Sequence, residues 1–422
     1  MMTQINTYIT KTFPTIKSEE ELLGMCNEIN KYLHEEKAKP ISLRTLKYYK
    51  NIKLSGAKRY KSFSIKKKSG KDRQLSVPAL GLKLIQQCLN VIFQAYYVAN
   101  DAACGFVPNK NITDGAKLHT NQAYVYNIDL KDFFDTITFP RVKKVLSLPP
   151  FNLKDEREPL GYVITSLCCH PKKLPVKDVD GNKIDEIKNC LPQGAPTSPI
   201  LTNIVCRNLD RHLAGLAKRF RAQYSRYADD ITFSCNYNIF KSNSDFLQEL
   251  HRIIEEEQGL QINPSKTRMQ TCNQRQEVTG LKVNKKVNVN THYVKQLRLW
   301  LHYWEVFGLE RAQKYFAKQY IKERGHVKSH NAHIENVIGG KLDYMRMVLG
   351  ENYPAYKKLK TRYDNLIGNN KNKVASKTGV DNTPAQTIIA NNRGIKMLPD
   401  VPALEESDDK LLSLLDELIN NL

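Results

Sequence analysis

The sequence predicts an α+β protein, and three observations carry that prediction. Short strand-like runs alternate with helical-period segments up to about residue 290. Predicted strands end on carboxylates, and from Tyr293 onward helical spacing dominates. In chain order, residues 1–57 are assigned to an N-terminal helical region and 58–290 to the α+β body. Between Lys58 and Arg73 eight basic residues meet one acidic residue, and Ser69-Gly70 reads as the tip of a hairpin whose strands carry Tyr60, Phe63 and Ile65. Beyond Pro78, Leu84, Ile85, Cys88, Leu89, Ile92, Phe93 and Tyr96 recur at helical spacing. Residues 123–129 read as a buried strand ending on Asp129. Residues 224–234 read as two strands around a turn containing Ala228 and Asp229. A helix is expected over Asp245–Gln258, with Phe246, Leu250, Ile253 and Ile254 on one face. Residues 291–368 read as helical, with a break near Gly308 separating Val294, Leu297, Leu301 and Trp304 from Ala312, Tyr315 and Phe316. An Asn-, Lys-, Thr- and Gly-rich linker over 369–400 leads to a flexible tail whose residues 401–422 form an acidic amphipathic helix.

Composition narrows the classes. A chain of 422 residues exceeds one ordinary domain, and 41% apolar residues supply a sizeable core. No run of eighteen apolar residues is present, so a membrane span is not expected, and no secretory signal is visible at the amino end. Nine scattered cysteines form no C-x-x-C pair, which speaks against a zinc site or a disulfide framework and for reduced thiols in a cytoplasm. The net charge of +22 points to a polyanionic partner, most simply nucleic acid.

Three segments carry candidate chemistry: Asp129 with Asp132, Phe133 and Phe134; the loop Leu191-Pro192-Gln193-Gly194 running on to Ser198-Pro199; and Tyr227-Ala228-Asp229-Asp230. An Asp-Asp pair alone is usually a solvated turn. Adjacent carboxylates packed among Tyr227, Ile231 and Phe233 repel one another unless a cation relieves them. With Asp129 nearby they would form an oxygen-rich site suited to Mg²⁺. A pair of such ions about 3.5–4 Å apart stabilises attacking and leaving oxygens in phosphoryl transfer.

Together and in this order, the segments resemble the palm motifs of reverse transcriptases: the aspartate with its phenylalanine pair, LPQG-x-x-x-SP, and Y-x-D-D. The resemblance implies a right-hand polymerase fold, with fingers and an antiparallel-sheet palm over 58–290 and a helical thumb over 291–368. It implies that Asp129, Asp229 and Asp230, with Leu130 beside them, bind two Mg²⁺ ions, Mn²⁺ being a possible substitute. Phe134 would lie under the sugar of the incoming deoxynucleotide, Gln193 beside it, and Asp132 among the nucleotide contacts; a core pair and a structural turn are the plainer readings of these segments. Lys67 and Arg73 would reach the nucleotide phosphates, although a charge run is commonly a solvated face. Lys266, within Gly259–Thr267, would protonate the leaving pyrophosphate, or else is a surface lysine.

Val278-Thr279-Gly280 resembles the VTG element of retron reverse transcriptases, where it helps position the cognate RNA; a strand and turn without that role is the alternative. Ala116 and His119 agree with a second retron element, but Gly115 stands where that element has asparagine. His119 is accordingly an RNA-binding candidate with a packed core histidine as its rival. The implied function is RNA-directed DNA synthesis on a structured non-coding RNA, yielding an RNA–DNA hybrid from dNTPs in phage defence with a protein effector. Other defence reverse transcriptases with untemplated or protein-primed synthesis, and a non-catalytic RNA-binding scaffold, are the alternatives.

Overall fold

The computed structural model describes residues 2–55, 58–66, 72–177, 183–324 and 332–375. The chain divides into two units, the first ending at Val289 and the second beginning at Asn290. Among the described residues no helix is long and apolar enough to cross a membrane.

The first unit carries all the strands among the described residues. In order they are β1 (Tyr60–Lys66), β2 (Asp72–Pro78), β3 (Tyr124–Asp129), β4 (His170–Lys177), β5 (Lys183–Cys190), β6 (Gln223–Tyr227), β7 (Asp230–Cys235), β8 (Arg268–Thr271), β9 (Glu277–Val278) and β10 (Leu281–Lys282). The central sheet has the antiparallel order β6-β7-β3-β8, and β1-β2, β4-β5 and β9-β10 are separate pairs.

The period-2 alternation of strands divides the chemistry of this sheet. Tyr126 and Ile128 pair with Phe233 and Ile231 and face the core. Phe246, Leu250, Ile253 and Ile254 belong to that same core, as the shared helical face requires. Asn127 and Asp129 pair with Thr232 and Asp230 and occupy the opposite face. A register slip of one residue would bury the two aspartates among phenylalanines, so the apolar pattern itself fixes where the carboxylates stand.

The N-terminal helices Met2–Thr12, Glu19–His34 and Leu43–Lys50 share the core of this unit instead of forming their own. Phe13 packs on Tyr96 of the helix Leu80–Tyr96 at 5.6 Å, and Arg157 donates to the Phe13 carbonyl at 2.6 Å. Arg59, inside the basic run, is fully buried. Its guanidinium donates to the carbonyls of Tyr49, Ser166 (2.6 Å) and Cys169 (3.1 Å), tying three segments to the base of β1.

Two expected boundaries are corrected. The α-helix beginning at Asp245 ends at His251 and continues as a π-helical turn over Arg252–Glu257, because the Gln258 amide bonds five residues back to Ile253. In the second unit the helix Pro354–Ala375 runs past Gly368 into the expected linker, where neither proline nor a further glycine stops it before Ala375. The rest of that linker and residues 401–422 lie outside the described residues.

The second unit is helical: Thr291–Arg324, Ile334–Leu349 and Pro354–Ala375 surround a core of Leu297, Trp300, Leu301, Phe316, Leu342 and Met345. Gly308, at φ 76° and ψ 169°, breaks the first of these where the spacing changes.

Candidate active site

Asp129 ends β3 and Asp230 begins β7, and the two are direct cross-strand partners. Only Ala228 and Asp229 separate β6 from β7, with Tyr227 paired to Asp230 across the turn. Ala228 has φ +57°, a left-handed conformation that glycine usually takes in such tight hairpins. The turn is tied to β3, since the Leu130 amide donates to the Asp229 carbonyl at 3.1 Å. Leu130 buries its side chain, so a ligand at the site could meet only its main chain.

Asp129 is 8% exposed and both its oxygens are engaged: Lys266 Nζ donates to Oδ1 at 2.7 Å and Asn263 Nδ2 to Oδ2 at 2.9 Å. The Asn263 amide also bonds the Asp129 carbonyl at 2.8 Å, which docks the Lys266 segment against the end of β3. Burial and then Asp129 raise the Asp229 carboxyl above its ordinary range, while Lys266 and Arg73 oppose that rise. Burial, Asp229 and Asp129 together push Asp230 up to about 6, against Lys266 and Arg268. The corner is therefore short of positive charge.

The acids converge, but not as the ready-made cage that their spacing suggests. Among the described residues no group of three His, Cys, Asp or Glu side chains is arranged to hold a metal ion. Each oxygen of Asp129 accepts one bond from the protein, from Lys266 and Asn263. The all-oxygen donor set and its mutual repulsion suit a hard divalent cation, provided Lys266 gives up its hold on Asp129.

Other expected residues fall at different places. Arg73 is exposed on β2, and its charge is felt at Asp229. Lys67 lies outside the described residues. Gly194, at φ +118°, presses the LPQG loop onto β2, where an added Cβ would stand 2.7 Å from the Ser76 carbonyl oxygen. The Ser76 amide donates to the Gln193 carbonyl at 2.8 Å, and Gln193 lines a cavity of about 270 Å³ with Gln74, His170 and Lys172. Phe133 is buried, whereas Phe134 is half-buried and meets it edge-on at 5.8 Å. Asp132 is exposed, with left-handed backbone, at the head of the short helix Phe133–Thr136.

Thr279 and Gly280, both at positive φ, form the turn between β9 and β10, and Val278 is buried. Both turn residues line a cavity of about 490 Å³ that also contains Asp129, Asp230, Lys266 and Arg268. His119 requires correction as an RNA contact. It is 0% exposed, bonded at Nδ1 to Ser234 Oγ (2.7 Å) and at Nε2 to Ser225 Oγ (2.8 Å), and burial lowers its pKa to about 3. It is a neutral cross-brace between β6 and β7.

Sequence reasoning missed Asn263 and Arg268 at the site, and Arg226, Asp210, Asn203 and Gly105 beneath it. Asn263 lies three residues before Lys266 and could have been read with it; the others carry no pattern that points to the turn.

Residues 65–296 match the reverse transcriptase (RNA-dependent DNA polymerase) family. The chain is 32% identical over 271 residues to the retron Mx65 reverse transcriptase of Myxococcus xanthus, covering 62% of this chain and 60% of that protein. It is 32% identical to the retron Mx162 reverse transcriptase of the same organism, covering 63% and 57% of the two chains. The retron Ec86 reverse transcriptase of Escherichia coli is 30% identical, covering 64% of this chain and 77% of that one. The chain therefore belongs to the reverse transcriptase family, and to its bacterial, retron-type branch. It spans about three fifths of the length of the two Myxococcus relatives.

Proposed function

We propose that the chain is an RNA-directed DNA polymerase that copies part of a structured non-coding RNA. The observation that carries this reading is the register Asp129↔Asp230, which gathers the separate carboxylate motifs at a cavity shared with Lys266, Thr279 and Gly280. Asp129, Asp229 and Asp230, with the Leu130 main chain, would hold divalent cations, Mg²⁺ first and Mn²⁺ as a substitute. Such ions, two in number as a rule in phosphoryl transfer, make an attacking hydroxyl more acidic and neutralise a triphosphate.

The protein's own groups take the remaining roles. Arg73, joined by Lys67, offers its planar fork to the nucleotide phosphates. Gln193, Phe134 and Asp132 bound the sugar side, Phe134 excluding a 2′-hydroxyl by the bulk of its ring. Lys266, released from Asp129 when substrate arrives, holds a proton at Nζ for the leaving pyrophosphate. Thr279 and Gly280 contact RNA near the reacting end, because their turn opens into the cavity that contains Asp129 and Asp230, while the expected contact at Val278 is corrected: its side chain is buried and anchors the turn. The net charge of +22 suits a long RNA and the RNA–DNA hybrid made from it. The biological role is phage defence alongside a separate protein effector.

The test is to express the chain with its native flanking DNA in bacteria, purify it, and sequence the nucleic acid that accompanies it. An RNA joined covalently to DNA complementary to part of that RNA is expected. DNA unrelated to any bound RNA, or RNA without DNA, overturns the reading.

A further inference from the structure

Beneath the catalytic turn lies a buried polar network that none of the motifs includes. Arg226 pairs with Ile231 across β6 and β7, so its side chain points to the apolar side of the sheet, away from Asp230. It is 1% exposed. Nε and Nη2 both donate to Asp210 at 2.6 Å, forming a forked ion pair, and Nη2 also donates to Asn203 Oδ1 at 3.1 Å. The remaining nitrogen, Nη1, donates to the carbonyl of Ala228 at 3.1 Å. Ala228 is buried in the turn whose other member is Asp229, and it holds a left-handed backbone without being glycine.

A second layer locks the arrangement. Asn203 donates to the Gly105 carbonyl at 2.9 Å, and a Cβ on Gly105 would stand 2.7 Å from the Ala228 nitrogen. The main chain of Arg226 is clamped as well: its amide donates to the Ala102 carbonyl at 2.8 Å, and its carbonyl accepts from Cys104 at 2.9 Å. The turn is thus held at the Ala228 carbonyl by Arg226 and pressed at the Ala228 nitrogen by Gly105. Asp229 follows directly, so small shifts at Ala228 move its carboxylate.

We propose that Arg226, aimed by Asp210 and Asn203, is a positioning residue that fixes Asp229 and Asp230 where divalent cations are bound. The fork makes arginine necessary, since a lysine can neutralise Asp210 but offers only one nitrogen, which cannot serve both Asp210 and the Ala228 carbonyl with this geometry. Ala228 keeps a left-handed backbone that costs a non-glycine residue energy, and the Arg226 Nη1 bond to its carbonyl is one of the contacts that hold it there. This inference rests on the polymerase reading for its functional meaning but can be measured apart from it.

The test compares the full chain with Arg226→Lys and with Arg226→Lys combined with Ala228→Gly, scoring melting temperature, Mn²⁺ binding by electron paramagnetic resonance, and kcat and nucleotide KM in RNA-templated extension. Arg226→Lys should weaken Mn²⁺ binding and lower kcat by about 10–100-fold, the usual range when an outer support of a metal site is lost. At saturating metal the nucleotide KM should stay within about twofold, since Arg73 and Gln193 are untouched. The added Ala228→Gly should recover part of both losses, because glycine takes the left-handed conformation without a carbonyl clamp. The proposal is overturned if folded Arg226→Lys binds Mn²⁺ and turns over like the parent. It is equally overturned if its losses follow only the unfolded fraction and glycine recovers nothing. Should the parent make no DNA, the polymerase reading fails, while the Mn²⁺ comparison still decides the positioning role.

Discussion

Asp210 and the turn that carries Asp229 are held by one arginine, through Asp210 itself and the Ala228 carbonyl, yet the two carboxylates' surroundings are opposite in kind. Asp210 is buried and fully answered by the protein: Arg226 grips both oxygens at 2.6 Å and Tyr224 Oη donates to Oδ1 at 2.8 Å. Asp229, Asp230 and Asp129 act on one another instead, and among the described residues Lys266 is the one cation bonded to any of them, through Asp129. The structural carboxylate is paired by the chain; the group proposed for chemistry is left short of positive charge. Under the proposed function, that deficit is where a divalent cation and a triphosphate would gain their binding energy.

The comparison can be broken from either side. On the catalytic side, Asp129→Asn keeps the shape and the bond from Asn263 but removes charge, and should lower the rate of primer extension about a thousandfold or more with little change in melting temperature. A variant within tenfold of the parent would mean that Asp129 does not meet the metal. On the structural side, Asp210→Ala strands a buried guanidinium. It should cost about 3–5 kcal/mol in urea unfolding, and Mg²⁺ should not restore it.

Smaller effects sharpen the contrast. His119 is held neutral by burial, with a folded pKa of about 3 against 6.5 for the free side chain. The unfolded chain therefore binds the proton more readily, and the stability His119 supports is present above pH 6.5 and lost as pH falls toward 3. The slope approaches about 1.4 kcal/mol per pH unit for this group. In His119→Gln the fall in melting temperature between pH 6.5 and 4.5 should be shallower than in the parent, and an equal slope would remove His119 as its source. The smallest effect belongs to Asp230→Asn in metal-free buffer at pH 7. With one repelling charge gone, the variant should melt no lower than the parent, and added Mg²⁺ should protect it less.

Much of this was legible in the residues. The strand ending on Asp129 and the hairpin around Ala228 and Asp229 could be read directly, and Gly308 broke the long helix where the spacing changed. What stayed hidden depended on partners distant in sequence. Arg59 sits in a run that reads as solvated charge, yet carbonyls from residues 49, 166 and 169 bury it. His119 carried a motif's hint of RNA contact, but two serines from different strands make it a brace. The β4-β5 pair was not anticipated, because its lysines and prolines obscure the alternation that marks a strand. Lys266 was legible as a possible acid, but not as the group that now occupies Asp129.

The most direct measurement supplies the purified chain with a defined RNA template, an annealed primer, dNTPs and Mg²⁺, and sequences the extended strand. The account predicts DNA complementary to the RNA from the parent and none above background from Asp229→Asn. Extension unrelated to the template, or equal extension by the variant, would contradict it.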